Sequence, residues 1–445
     1  MGRSYFVEET VEEYLVGLQT APGSCLTGLL AGQSSPQRDF VVLAVQTPYR
    51  ESEGQPKASR GVSPLDDIDV GVGHRTCQVS RMLPGGLCIL GLFLVTPPEL
   101  SKDAQNALKR LVFAMDKYIT KGRLWELSEE DVTDQVTLHI CSKTKKTVCK
   151  TFDVKDPQSS AKPADWKYQT GVSSSWPMLI CSVEVDILVS SDITDKCMKD
   201  GLRRWAEQIE AAYCLINGRQ ALDDSELSSG QVKTSLLYQC HRNSQSWMSA
   251  SSTSSALVQV CSGSVKVRGV VYCRAYIHNN KPKARHAAQV IRRGIINTVC
   301  SRVEMFLEDL LINEGSHKGT VQALPRRVFA PVPISGLSVC DYMFPDESTA
   351  DVAERLKEML DCETPEEDID TGLEGNQCMF PILFSDVSGS EITDSPSDDS
   401  SKHVISEVQA ENPKNQKAPQ YYAGKCLTLF IIIHINIDHS LFLYE

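Results

Sequence analysis

The stretch Leu83-Pro84-Gly85-Gly86-Leu87-Cys88-Ile89-Leu90-Gly91-Leu92-Phe93-Leu94-Val95-Thr96-Pro97-Pro98 constrains the fold more than any other. A Pro-Gly-Gly turn opens it, an unbroken apolar run follows, and a double proline closes it. A run bounded this way predicts a strand buried on both faces, at the centre of a sheet. The segment from Glu99 is strongly helical, and the step from a central strand to the next helix is where α/β proteins usually place chemistry. Here that step offers Leu94, Val95 and Thr96, with no His, carboxylate or thiol among them.

Around this strand the pattern predicts an α/β (α+β) fold, a mixed sheet flanked by helices. Val7, Val11, Tyr14, Leu15 and Leu18 fall at helical spacing, with Glu8, Glu9, Glu12 and Glu13 on the other face. Two apolar runs, 25–32 and 40–47, read as a hairpin, and a weak helix covers 72–82. Leu100, Ala104, Ala107, Leu108, Leu111, Met115, Tyr118 and Ile119 mark an amphipathic helix. A second hairpin is expected over 136–154, a strand over 178–189, and a helix from Met198 to Ile216. Asn217-Gly218 stops that helix and closes a first domain, 1–217. After a linker, 218–231, a second smaller α/β domain is expected over 232–345. It has strands near 256–261, 265–278 and 328–334 and a long helix over 284–312. A short helix at 350–360 and an acidic disordered tail make up 346–425, and an apolar segment fills 426–445.

The net charge of −12 belongs to that tail: between Asp346 and Lys402 stand 17 acidic residues against three basic ones. The balance argues against nucleic acid as a partner. The 16 cysteines are scattered singly with no C-x-x-C spacing, which disfavours a zinc or thioredoxin-type motif. Together with the lack of an apolar signal segment, this fits free thiols in a reducing cytosolic setting. Met1-Gly2 opens a myristoylation pattern, but Phe6 stands where Ser or Thr is required.

The other chemistry candidates read more simply as structure. Cys240-His241 are neighbours that point to opposite faces of a strand, so they do not make a nucleophile and base. Asp66-Asp67-Ile68-Asp69 lacks the Gly and distal Glu of a calcium loop. Lys281, Lys283, Arg285, Arg292 and Arg293 are a basic face that solvent accommodates. Ser390 to Asp394 and Ser397 to Asp399 match acid-directed kinase sites, a common pattern in acidic tails. The island Met379, Phe380, Pro381, Ile382, Leu383 and Phe384 is a candidate docking peptide. No cofactor is expected. The competing reading is a hydrolase or isopeptidase with a thiol or metal site that these motifs do not reveal.

The hairpin, His74 ahead of the central strand, and the run from Leu83 to Pro97 resemble an MPN domain over about the first 190 residues. That is the α/β fold of the JAMM deubiquitinating metalloproteases and their inactive relatives. In active members a Gly-aromatic-aromatic step leads into His-x-His-Pro, with Ser and Asp following. Two His and the Asp bind zinc, and a Glu on an earlier strand activates the water. Here Gly91, Phe93 and Pro97 keep the frame, while Leu94 and Thr96 stand at the His positions and Ala104 and Ala107 at those of Ser and Asp. Such a set implies a dead site.

The whole chain through about Glu374 resembles the odorant-response-abnormal protein 4 family. Met1 to Tyr5, Val11 to Tyr14, Leu83 to Gly86, Phe329 to Pro333 and Ala350 to Leu360 carry the likeness. It implies a non-enzymatic adaptor on the cytoplasmic face of the endoplasmic reticulum. Such an adaptor partners the ubiquitin-fold-modifier-specific cysteine protease and assists trafficking of some G-protein-coupled receptors. Family members end in one hydrophobic span. Here Cys426 to Ile433 supplies a run of eight residues, seven of them apolar, before His434, against about 20 for a span. This form is therefore expected to be soluble or peripherally attached.

Overall fold

The computed structural model describes residues 2–21, 23–36, 38–47, 69–190, 195–217, 219–220, 222–227, 232–237, 264–278, 281–312, 324–372 and 383–384. An eight-stranded mixed sheet contains β1 (Ser4–Glu8), β2 (Leu26–Ser34), β3 (Arg38–Gln46), β4 (Cys88–Thr96), β5 (Asp134–Cys141), β6 (Thr147–Asp153), β7 (Lys162–Pro163) and β8 (Asp165–Gln169). Its order is β7-β6-β5-β4-β2-β3-β1-β8. Strand β4 lies between antiparallel β2 and parallel β5, the central position that its apolar run predicts. A register shift between Leu30 and Ala31 of β2 changes the phase of β4 once. Ile89, Leu92 and Leu94 consequently face one core, and Leu90, Phe93 and Val95 the other.

Helices α1 (Glu9–Gly17), α2 (Asp69–Arg81) and α3 (Ala104–Gly122) flank this sheet. Val11 and Leu15 of α1 join the core of Leu90, Phe93 and Val95. Val72 and Val79 of α2, with Leu108, Leu111 and Met115 of α3, cover Leu92 and Leu94 on the opposite face. The expected opening helix forms over Glu9–Gly17, but its first residue, Val7, lies instead in β1, fully buried with Tyr5 in a strand that runs parallel to β3 and β8. Val7 belongs to both a period of two and a period of 3.6, and pairing with β3 decides between them.

The second sheet holds β9 (Met178–Ser190), β10 (Tyr213–Ile216), β11 (Arg219–Gln220), β12 (Val232–Leu237) and β13 (Ser264–Tyr276), with α4 (Asp195–Glu210) and α5 (Ala284–Ile312) on one face. Strands β9 and β13 pair antiparallel along their whole length. The division expected at 217 therefore runs through this sheet: β9, α4 and β10 belong with the second body. The alternating residues Leu179, Cys181, Val183, Val185 and Ile187 are buried among β13, α4 and α5. The helix expected to reach Ile216 ends at Glu210, and Tyr213–Ile216 pairs with β12 instead.

The hairpin of β14 (Arg326–Pro331) and β15 (Ser338–Met343) and helix α6 (Thr349–Leu360) return to the first body. Val328, Ala330, Val339, Met343, Val352 and Leu356 share a core with Leu92 and Leu94. Strand β14 ends at Pro331, so Ile334 lies in the turn. Helix α6 opens on a capping box: Ser348 Oγ accepts from the Asp351 N–H and the Asp351 carboxylate accepts from the Ser348 N–H at 2.8 Å. A last strand, β16 (Leu383–Phe384), pairs antiparallel with Val265 and Lys266 of β13. Cys240-His241, Asp66 to Ile68, the strand expected at 256–261, the tail kinase patterns and 426–445 lie outside the described residues.

Candidate functional site

The C-terminal end of β4 is closed by packing. Leu94, Thr96 and Ala104 are fully buried and Ala107 nearly so. Leu94, Ala104 and Ala107 belong to the core beneath α2 and α3. The Thr96 carbonyl accepts from the Ser142 N–H at 2.9 Å, and Thr96 Oγ1 lies 2.9 Å from His139 Nε2. His139 is buried on β5, and burial, with Lys150 nearby, holds its imidazole below the ordinary histidine range. A neutral imidazole shared with a buried hydroxyl satisfies two polar groups that would otherwise be stranded. Leu and Ala offer no lone pair to a metal, so these positions cannot form the ligand set that an MPN metalloprotease uses. His139 was hidden in the sequence because it alternates with Leu138 and Ile140 like any polar residue of a half-exposed strand.

The rest of the motif builds a seam between the two bodies. Gly86 has φ +83°, a conformation glycine takes without strain. The Gly85 N–H donates to the Arg274 carbonyl at 3.1 Å, and the Gly85 carbonyl accepts from the Tyr276 N–H at 2.8 Å. A Cβ on Gly85 would meet Ala275 Cβ at 2.7 Å, and one on Gly294 of α5 would meet the Gly85 Cα at 3.1 Å. Gln33 Nε2 donates to the carbonyls of Gly86 and Tyr276, both at 2.8 Å, while its Oε1 accepts from the His278 N–H. Phe93 is fully buried, its ring pressed against Gly28. Pro97 caps the short 3-10 turn that leads toward α3.

Between the bodies runs a cleft of about 570 Å³, with Gly86, Leu87 and Cys88 among its lining and Tyr118, Trp125 and Val290 on its walls. Arg293 closes one side: its guanidinium makes two 2.8 Å hydrogen bonds to Asp131 and lies 5.7 Å from the Trp125 ring centre. Asp131 is pushed up by burial, but Arg293 outweighs this and holds it below the usual carboxylate range. Burial pushes the Cys300 thiol well above its ordinary value, while Cys88 is exposed at the start of β4. Burial pushes His278 down to about 4, and His286 is lowered too. A thiol raised by burial and imidazoles lowered by it are shifted away from the thiolate–imidazolium pair of a cysteine hydrolase. Cys141, the last residue of β5, is lowered, by the Thr144 hydroxyl first and neighbouring N–H groups after it.

Lys283, Arg285, Arg292 and Arg293 are engaged with this molecule, while Lys281 is exposed. Lys283 pairs with Asp224 at 2.8 Å, Arg285 with Glu130 at 3.1 Å, and Arg292 donates to the Ala212 carbonyl at 2.6 Å. Asp69 is the first residue of α2. Of the candidate docking peptide, Leu383 and Phe384 sit on the edge of β13, and Met379, Phe380 and Ile382 lie outside the described residues.

Residues 28–371 match the profile of the ODR4-like family, odorant response abnormal 4-like. The chain belongs to that family. Protein odr-4 homolog of Mus musculus is 45% identical over 403 residues, covering 87% of this chain and 90% of its own length. The Homo sapiens homolog is 45% identical over 412 residues with the same coverage. A distant odr-4 homolog from Dictyostelium discoideum is 21% identical over 367 residues, 76% of this chain and 75% of that one. Among solved structures, UfSP from C. elegans overlays with a TM-score of 0.42 at 8% identity, covering 82% of this chain and 57% of that chain. The topology of its own sheets makes the ODR4-like chain a mixed α/β protein whose large sheet is flanked by helices.

Proposed function

We propose that this member of the ODR4-like family is a non-enzymatic adaptor. It binds the ubiquitin-fold-modifier-specific cysteine protease, holds it at the cytoplasmic face of the endoplasmic reticulum, and assists delivery of a subset of G-protein-coupled receptors. One observation carries the non-enzymatic part. The strand end that would bear the reagents of an MPN hydrolase is filled by Leu94, Thr96, Ala104 and Ala107, all buried. The raised thiol of buried Cys300 and the lowered imidazole of His278 support it. Family membership supports the protease and receptor partners, and the closed fold suits a scaffold that presents surfaces. Among the described residues no helix is long and apolar enough to cross a membrane; the reading has this form attach peripherally because His434, Asn436 and Asp438 interrupt the apolar run from Cys426.

The test is a co-precipitation of the protease with the full chain from cells, beside carbonate extraction of their membranes. Recovery of the protease together with release by carbonate supports the adaptor as stated. Loss of the protease refutes the partner, and resistance to carbonate refutes peripheral attachment.

A further inference from the structure

The turn between β14 and β15 holds a side chain that its backbone disfavours. Ile334 has φ +68°, and across it the Ser335 N–H donates to the Pro333 carbonyl at 2.8 Å. A hydrogen bond from residue i+2 back to i around a positive φ is the rare, strained form of γ-turn. A β-branched side chain is poorly suited to that region. Ile334 is also 82% exposed, so an aliphatic surface is left in water. Pro331 and Pro333 are exposed beside it and Val332 is half-buried, which makes 331–334 an apolar ridge.

The surroundings enforce the turn. The Val332 N–H donates to the Leu337 carbonyl at 2.9 Å. The Ser335 hydroxyl donates to the Val332 carbonyl and accepts from the Leu337 N–H, both at 3.1 Å. Ser173 Oγ donates to the Ser335 carbonyl at 2.8 Å. Glycine or asparagine at 334 would relieve the strain and remove the exposed apolar surface. A residue that incurs both costs, on a turn held from several sides, marks a place where strain is kept for binding.

The neighbourhood says what kind of partner fits. The ridge rests on the loop after β8, where the N–H groups of Gly171 and Ser173 donate to the Glu8 carboxylate at 2.7 and 3.2 Å. The Thr170 hydroxyl donates to Glu9 at 2.6 Å, and Glu9 and Glu13 are exposed. Residues 168–177 and 331–337 contain no Lys or Arg. Membrane-surface elements use Lys and Arg against anionic headgroups, so an acidic flank disfavours lipid. It favours a protein socket with an apolar floor and a basic rim.

We propose that the ridge Pro331–Ile334 is an anchor that inserts into such a socket on the protease partner, with Glu9 meeting its basic rim. This rests on the adaptor reading above. The experiment measures binding of the purified full chain to the purified protease for wild type, Ile334→Gly, Ile334→Asn and Glu9→Lys, with a thermal melt of each. The Ile334 variants should melt at or above the wild-type temperature and bind about tenfold or more weakly. Glu9→Lys should weaken binding most at low salt. Ile334 variants that bind like wild type overturn the anchor and leave the adaptor reading intact. A lower melting temperature for Ile334→Gly overturns the strain argument, and with it the anchor. A wild-type chain that does not bind the protease overturns the adaptor reading, and the anchor falls with it. Unchanged protease binding with lost binding to phosphatidylserine vesicles assigns the ridge to lipid instead, which also overturns the proposal.

Discussion

Adding a single carbon to Gly91 should open the central sheet. Gly91 stands opposite Leu30 on β2 and Val136 on β5. Its φ is not in the left-handed region, so space alone requires glycine there. A Cβ at 91 would lie 2.7 Å from both the carbonyl carbon and Cγ1 of Val136, and closer still to its carbonyl oxygen. An ordinary carbon contact needs about 3.5 Å or more, so β5 would have to retreat by roughly 1 Å. The obstructing atoms are backbone in a six-residue parallel ladder from Gly91–Val136 to Thr96–Cys141, which no rotamer change can relieve. Overpacking costs about 1–3 kcal/mol, and stretching one or two ladder hydrogen bonds adds about 1 kcal/mol each. Gly91→Ala should therefore lose about 3 kcal/mol, and Gly91→Val at least as much. Urea unfolding followed by far-UV circular dichroism reads this as a lower midpoint at unchanged slope. A Gly91→Ala midpoint within about 0.5 kcal/mol of wild type would refute the close approach of β4 and β5 and the argument built on it.

Two further outcomes follow from buried groups. Chelation by EDTA should leave the thermal midpoint unchanged, because Leu94, Thr96, Ala104 and Ala107 pack rather than ligate; a drop of several degrees, reversed by zinc, would show a structural metal worth about 10 kcal/mol or more. Burial lowers His278 to about 4, so the unfolded chain binds its proton first. The stability this imidazole contributes is fully present above about pH 6.5 and is lost as pH falls through about 4, up to about 3 kcal/mol. His278→Gln should flatten stability across that window, and an unchanged acid limb in its pH–stability profile would exclude His278 as the cause.

Local elements were legible wherever burial and period agreed. The run from Cys88 to Thr96 could only be a strand covered on both faces, because nothing in it tolerates water. The helices over 104–122 and 284–312 announced themselves by apolar stripes at helical spacing. The lack of metal-ligand side chains at Leu94, Ala104 and Ala107 was equally legible, since Leu and Ala carry no side-chain donor atom whatever the fold. Residue 7 shows the limit: Val7 satisfies both periods, and only β3 beside it makes it a strand. Residues 213–216 show it again, because a helical stripe that runs on past Glu210 carries no mark of the β12 edge waiting for it.

The amino-acid order by itself determined most of the long strands and helices, that Leu, Thr and Ala stand at the β4 terminus and the start of α3, and that the charge lies in the tail. Tertiary structure alone decided which body each segment joins. Strands β9 and β10 left the first sheet, and β14, β15 and α6 came back to it. It also decided that Gly85 and Gly294 meet, that Thr96 and His139 satisfy each other, and that Ile334 is held at φ +68° in solvent. Side-chain period is a property of neighbours in sequence, which a chain displays at every residue. Strand pairing and close approach are set by residues far apart in the chain, and many partners satisfy the same alternating pattern until the core chooses one.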